Sequence, residues 1–361
     1  MAAMQLAQFD AMVAQGGADD RRAAREDAVA HAADSRGDVS PDPDRRALRS
    51  RPSLVLLNPR AGGGRAAALA APIRNWLATY APEVPLLESD SIERSRASLQ
   101  CLPRSSRVVL IGGDGTLHHM LPVLLTHRLA LGVVPMGGGN DTARALGIAD
   151  LPWPKALELA LSGRTRRMDV GELLTMRGRI PFISSLAIGF DAAVGLRAQN
   201  GPDWLDGRPR YLWATLVELV RLRTHVLRAR VDGELVHDGV ALFASVLNTP
   251  SYGSGMPVVP GARIADGKLD LLVAGEFGRL GALRMLPRLM KGRHLDHAKI
   301  ATWQLQTLAI EGARPLPMAA DGEPLAPLRD FEVRVRASAV SVVSARPRRR
   351  GAPRAEDATQ A

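Results

Sequence analysis

Short apolar runs alternate with stretches of helical period from residue 53 to about residue 163. Runs at 54–57, 84–88, 107–111 and 131–134 read as strands, and helices are predicted over 65–80, 91–102, 116–127, 140–146 and 153–162. Continuous apolar strands separated by helices predict a parallel sheet covered on both faces, with ligands beyond the carboxyl ends of the strands. After Arg164 the pattern changes. Runs at 168–174, 180–187, 226–231, 239–247, 269–274, 301–310 and 331–335 read as strands, many with alternating apolar positions, and only two helical stretches, 208–223 and 279–291, interrupt them. The predicted architecture is therefore a Rossmann-like α/β domain over 51–165 followed by a mainly antiparallel β domain over 166–336. A last strand at 339–345 is a candidate to rejoin the first sheet. Residues 1–50 mix Ala with Asp and Arg and read as a disordered leader, and 346–361 read as a basic disordered tail.

Three of the strands end in glycine. Residues 54–57 lead into Asn58-Pro59-Arg60-Ala61-Gly62, 107–111 into Gly112-Gly113-Asp114-Gly115-Thr116, and 131–134 into Pro135-Met136-Gly137-Gly138-Gly139-Asn140-Asp141. A strand–glycine loop–helix junction gathers backbone N–H groups at a helix N-terminus, where they bind phosphate oxygens. Three such junctions on one sheet edge point to a nucleotide site. None of the loops carries a Walker lysine, which excludes a P-loop NTPase.

Composition narrows the partners. The chain has 361 residues, 47 Lys and Arg against 37 Asp and Glu, a net charge of +10 and one cysteine, Cys101. A single cysteine rules out a disulfide framework and fits a reducing cytosol. No run reaches the ~20 apolar residues of a membrane span, and no signal-peptide pattern opens the chain. A soluble cytoplasmic protein is expected. The positive charge comes without helix-turn-helix, zinc-finger or basic–aromatic patterns, which disfavours nucleic acid and favours an anionic membrane surface. The basic run after Arg346 is either a solvated terminus or a lipid contact. The stretch 279–291 sets Leu280, Leu283, Leu286 and Leu289 among Arg279, Arg284, Arg288 and Lys291. It either packs its leucines on the β domain or rests on anionic headgroups.

With these loops in view, residues 53–345 resemble the diacylglycerol kinase catalytic-domain family, which includes bacterial lipid kinases and the sphingosine and ceramide kinases, on a fold like that of NAD kinase. The first loop is similar to the family's Asn-Pro-x-Ser/Ala-Gly element, and Gly112 to Thr116 match its Gly-Gly-Asp-Gly-Thr. Pro135 to Arg144 are similar to Pro-x-Gly-Thr-x-Asn-Asp-x-x-Arg. Three further elements follow in order: Gly189-Phe190-Asp191-Ala192, Asp266-Gly267-Lys268-Leu269-Asp270 and Asp321-Gly322-Glu323. Three positions depart from the family pattern: Gly138 in place of Thr, His119 in place of an acid, and Ala61 in place of Ser.

The resemblance implies an ATP-dependent lipid kinase using Mg²⁺, acting on diacylglycerol or a related lipid at the inner face of the membrane. An NAD kinase and a non-catalytic nucleotide- or lipid-binding regulator are the alternatives. Gly112, Gly113, Gly115 and Thr116 are expected on the ATP phosphates, with Gly62 and Gly138 in the flanking loops. Asn58 either contacts phosphate or makes an Asx turn. Ser89 and Ser91 either meet the nucleotide or cap a helix. Asp114 either binds metal and supports catalysis or organises its loop. Asn140 and Asp141 are either site residues or helix caps. Of Asp321 and Glu323, one is implied to accept the lipid hydroxyl's proton while the other positions it or binds Mg²⁺. As a bare sequence, the same residues form an Asp-Gly hairpin turn. Asp266, with the carbonyls of Arg263 and Lys268, is implied as a structural Mg²⁺ site away from the chemistry, or else is a plain Asp-Gly turn. His118, His127, His294 and His297 show no metal-ligand spacing.

Overall fold

The computed structural model describes residues 53–345 apart from 177, 203, 206 and 207. The expected leader and basic tail lie outside the described residues. Strands β1 (Ser53–Leu57), β2 (Leu86–Glu88), β3 (Arg107–Gly112) and β4 (Ala130–Pro135) pair in parallel in the order β4-β3-β1-β2. Between them run α1 (Arg65–Ala68), α2 (Ala70–Tyr80), α3 (Ile92–Gln100), α4 (Asp114–Thr126), α5 (Asp141–Leu146) and α6 (Trp153–Ser162). Successive strand side chains point to opposite faces, and both faces are buried. Leu54, Leu56, Val108 and Leu110 pack on Leu117, Met120, Leu121 and Leu124 of α4. Val55, Leu57, Val109 and Ile111 pack on Ile73 and Leu77 of α2 and on Leu157 and Leu161 of α6. This is why these strands read as unbroken apolar runs.

The second half contains β5 (Thr165–Thr175), β6 (Gly178–Phe182), β7 (Ser185–Gly189), α7 (Phe190–Gln199), α8 (Arg208–Val220), β8 (His225–Val231) and β9 (Glu234–Leu247). It continues with β10 (Leu269–Gly275), α9 (Arg279–Met290), β11 (Ile300–Leu305), β12 (Thr307–Ala320) and β13 (Glu323–Val343). Its strand pairs are antiparallel. β13 joins the halves. Its first part pairs antiparallel with β12, and Ser341 and Val342 pair in parallel with Ala130 and Leu131 of β4. One continuous sheet results, in the order β11-β10-β9-β7-β12-β13-β4-β3-β1-β2.

The structure differs from the sequence expectations in several places. The strand expected over 180–187 is two strands, because the N–H groups of Ile183, Ser184 and Ser185 turn to the Asp321 carboxylate. The strand expected over 301–310 breaks at Gln306, whose N–H, with that of Thr307, goes to Asp232. The helix expected over 65–80 is interrupted at Leu69. The runs at 331–335 and 339–345 are one strand, with a register shift between Arg336 and Val340 and Ser338 at φ 52°. Helix α7 was not foreseen. It is short, and its buried residues are only Ala192, Val194 and Ala198, too small a set to mark a helical stripe.

Candidate functional site

The three glycine loops lie together at the carboxyl edge of the parallel strands. Asn58 ties the first to the second: its Nδ2 donates to Thr116 Oγ1 at 2.9 Å, and its Oδ1 accepts the Arg60 N–H at 3.0 Å. The second and third loops run backbone against backbone. A Cβ added to Gly113 would stand 2.9 Å from the Gly137 Cα, so only glycine allows this approach. Asn140, at φ 52°, folds the third loop on itself. Its Oδ1 accepts the Gly137 N–H at 2.9 Å and its Nδ2 donates to the Gly137 carbonyl at 2.7 Å.

Asn140 makes no side-chain cap bond to α5; Asp114, distant in sequence, caps it instead. The Asp114 carboxylate accepts the N–H groups of Asp141 at 3.1 Å and Thr142 at 3.2 Å. Asp141 in turn accepts the N–H groups of Ser254 at 3.2 Å and Gly255 at 2.8 Å, joining the third loop to the β domain. Burial pushes both carboxyls above their ordinary range. Asp141 reaches about 7, with the charge of Asp114 adding to the effect of burial. The two carboxylates converge on Gly139, where a Cβ would stand 2.9 Å from Asp114 Oδ2 and 3.4 Å from Asp141 Oδ2. Two desolvated, mutually repelling oxygen donors around a position without a side chain fit a hard divalent cation such as Mg²⁺.

Asp321 and Glu323 belong to the turn between β12 and β13, in which Asp321 and Gly322 have φ 50° and 87°, as a type I′ hairpin requires. Their surroundings differ sharply. The Asp321 side chain is fully buried. Its Oδ1 accepts N–H groups from Ser184 at 2.7 Å, Ser185 at 3.1 Å and Ile183 at 3.1 Å; its Oδ2 lies 3.0 Å from both the Ile183 nitrogen and His118 Nδ1. Burial opposes protonation of His118, but the Asp321 carboxylate outweighs it and lifts the imidazole above its ordinary value. Glu323 is part-exposed, with Oε2 3.7 Å from His119 Nε2. Its Oε1 lies 2.6 Å from the point where Gly115 would carry a Cβ. His119 itself is pushed down, chiefly by burial.

Two cavities meet at this point. A cleft of about 340 Å³ is lined by Asn58, Gly62, Ser89 and Thr116. A chamber of about 260 Å³ is lined by Asp114, Gly138, Asp141 and Asp321 on one side and by Asp191, Tyr211 and Tyr252 on the other. Gly113, Gly115, Gly137 and Glu323 belong to both walls. Gly112 closes β3 behind them. Ser89 donates to the Ser91 carbonyl at 3.0 Å, and Ser91 caps α3 by accepting the Arg94 N–H at 3.1 Å.

Asp266, Arg263 and Lys268 line neither cavity. Asp266 accepts the Lys268 N–H at 3.1 Å, an Asx turn, and Asp169 accepts the neighbouring Gly267 N–H at 2.7 Å. Among the described residues, no three His, Cys, Asp or Glu side chains group to hold a metal.

Sequence reasoning missed two groups. One is His118, which follows the glycine loop at the start of α4, where nothing nearby in the chain gives a reason to pair it with a residue two hundred positions on. The other is Asp191, which accepts hydroxyl bonds from Ser245 at 2.9 Å and Tyr252 at 2.6 Å. Burial raises Asp191 to about 6 against those bonds. Asp191 belongs to the Gly189-Phe190-Asp191-Ala192 element, whose resemblance assigns it no role, and nothing in the sequence marks Tyr252.

Comparison with known proteins gives a consistent result. Residues 52–173 match the diacylglycerol kinase catalytic domain family, and 184–344 match the YegS C-terminal NAD kinase beta sandwich-like domain. The chain is 35% identical to a diacylglycerol kinase of Mycobacterium tuberculosis over 224 residues, 61% of this chain and 71% of that one. It is 26% identical to a diacylglycerol kinase of Bacillus subtilis over 218 residues, 60% of this chain and 70% of that one. A crystal structure of a diacylglycerol kinase from Bacillus anthracis superposes with a TM-score of 0.62 at 19% identity, covering 81% of this chain and 96% of that one. That likeness extends the shared fold across both halves.

Proposed function

Because this chain belongs to the diacylglycerol kinase family of lipid kinases, we propose that it transfers the γ-phosphate of ATP to the hydroxyl of diacylglycerol or a related lipid. The position of Glu323 in the walls of both cavities carries this reading. Phosphoryl transfer needs an acceptor hydroxyl in line with the γ-phosphorus and a base within reach of its proton. With ATP in the larger cleft, its terminal phosphates lie against the Gly113 and Gly115 backbone and Thr116. A lipid hydroxyl in the second chamber then approaches from the opposite side of the same wall. Glu323 accepts its proton as the oxygen–phosphorus bond forms and ADP leaves.

Asp321 has the other role. Its oxygens are already taken by three backbone N–H groups and His118, which suits it to holding the hairpin rather than to proton transfer. Asp114 and Asp141 are the residues to hold Mg²⁺, which when bound neutralises charge on the phosphates. The structural Mg²⁺ proposed beside Asp266 draws support from the sequence resemblance alone. A substrate at the cytoplasmic face of an anionic membrane completes the reading. No helix among the described residues is long and apolar enough to cross a membrane.

The test is transfer of radiolabelled γ-phosphate from ATP in a mixture of extracted lipids and NAD. Labelled lipid is expected. Label in NADP would make the chain an NAD kinase, and no labelled product would make it a non-catalytic binder. Separate reactions with diacylglycerol, sphingosine, ceramide and phosphatidylglycerol then identify the acceptor.

A further inference from the structure

Large apolar side chains left in water are concentrated on one part of this molecule. Of the twelve exposed among the described residues, eight lie on α7, α8, α9 and the segment joining α7 to α8. On α8, Leu212, Leu216 and Val220 repeat at helical spacing with exposures of 41, 44 and 70%, while Ala214 and Leu219 of the same helix are buried. A surface helix ordinarily turns polar residues outward; α8 is apolar on both sides. On α9, Leu280, Leu283 and Met290 are exposed while Ala282 is buried. The two helices touch, with Arg279 Nε donating to the Val220 carbonyl at 3.2 Å. Leu196 of α7 and Trp204, 81% exposed, add to the apolar surface. A patch of this kind marks an interaction site.

Charge selects the occupant. Arg284, Arg288 and Lys291 are exposed along α9, and Arg221 and Arg223 follow α8. The acid of α8, Glu218, is already paired with Arg197. Apolar side chains interleaved with long cations are the pattern of a helix lying in the headgroup region of an anionic bilayer, where arginine and lysine reach the phosphates. A second copy of the chain fits less well. A two-fold contact sets a patch against itself, which would bring these cations face to face.

The inward sides of the same helices complete the argument. Gly195 and Gln199 of α7 and Tyr211 of α8 line the second chamber, so the exposed face and the chamber are separated by one helix, roughly 10 Å. We propose that α7, α8 and α9 form the surface by which this protein docks on an anionic lipid bilayer, with the chamber opening toward the membrane it rests on. The delivery of a lipid hydroxyl to Glu323 rests on the kinase reading; the docking itself does not.

The experiment is sedimentation with vesicles of phosphatidylglycerol and phosphatidylcholine, and with phosphatidylcholine alone, using the full chain and two double variants. Both variants should keep the wild-type melting temperature, since the altered residues are exposed. The wild type is expected to bind the anionic vesicles and not the neutral ones. Leu212→Glu with Leu216→Glu should weaken that binding by about tenfold or more. Arg284→Ala with Arg288→Ala should weaken it and reduce its dependence on salt. The leucine variant should still phosphorylate a short-chain diacylglycerol dissolved as monomers at the wild-type rate. Equal vesicle binding by wild type and leucine variant would overturn the proposal, as would a wild type that binds no vesicles. So would a wild-type dimer that the leucine substitutions split, because a second copy would then cover the face. Vesicle binding without phosphorylation of the soluble lipid would support the docking surface and remove the kinase reading.

Discussion

Asp321 and Glu323 are two residues apart, and a sequence pattern treats them as one acidic element. The groups that distinguish them lie far away in the chain. The N–H donors that saturate Asp321 come from residues 183–185, more than 130 positions earlier, and no local rule announces that pairing. A buried carboxylate in such a cradle is costly to alter. In Asp321→Asn, whichever way the amide turns, its NH₂ meets at least the Ile183 N–H, and stability is expected to fall by about 1–3 kcal/mol, measured by denaturant titration. The partner His118 gives a second expectation. Its folded pKa is raised by Asp321, so its contribution to stability is full below the unfolded imidazole value of about 6.5. It is lost as pH rises through the higher folded value. His118→Gln should flatten that part of the profile. Stability of Asp321→Asn equal to wild type would refute the holding role.

Among the elements, strands with two buried faces and helices with a wide apolar stripe were legible, because burial imposes a period on the sequence. Elements ended by a distant side chain were not: Asp321 cuts 180–187 and Asp232 cuts 301–310. Helix α9 was legible as a helix, but its orientation was not, since its leucines divide into exposed Leu280 and Leu283 and half-buried Leu286 and Leu289. The glycine loops yield a paired prediction. Gly113→Ala drives a methyl toward the Gly137 backbone at 2.9 Å, which has little room to yield, and should destabilise the protein by about 1–3 kcal/mol. Gly115→Ala meets the end of the Glu323 side chain at 2.6 Å, which can swing aside. That variant should melt close to wild type yet lose turnover by displacing Glu323. Melting curves and steady-state rates on the two variants separate these outcomes, and full turnover by Gly115→Ala would count against the position of Glu323.

At the scale of the whole molecule, β13 runs from the β12 hairpin to the edge of β4 and makes one sheet of two halves. That continuity brings the glycine loops and the acidic hairpin to a shared wall. The two-part fold could be read from the change of pattern near residue 164; that the acidic hairpin meets the glycine loops was implied by the family resemblance alone, because no local pattern says how the halves meet. Asp141 lies on this junction, bound to Ser254 and Gly255. Its carboxyl is raised to about 7 in the fold against about 3.9 in an unfolded chain. The folded protein therefore holds the extra proton between those values. Its advantage is full below about pH 4 and fades as pH climbs toward 7, by an amount on the order of a few kcal/mol. Metal-free protein should lose thermal stability from about pH 4 to pH 7 and level off above it, Asp141→Asn should show a shallower loss, and Mg²⁺ should restore stability at pH 8 in the wild type. A flat wild-type profile would contradict this assignment.

Single-turnover transfer from radiolabelled ATP to diacylglycerol, compared between wild type and Glu323→Gln with ATP affinity titrated in parallel, tests the shared wall most directly. The account predicts a transfer rate lower by about a hundredfold or more, with ATP affinity unchanged. Transfer at the wild-type rate in Glu323→Gln would contradict it.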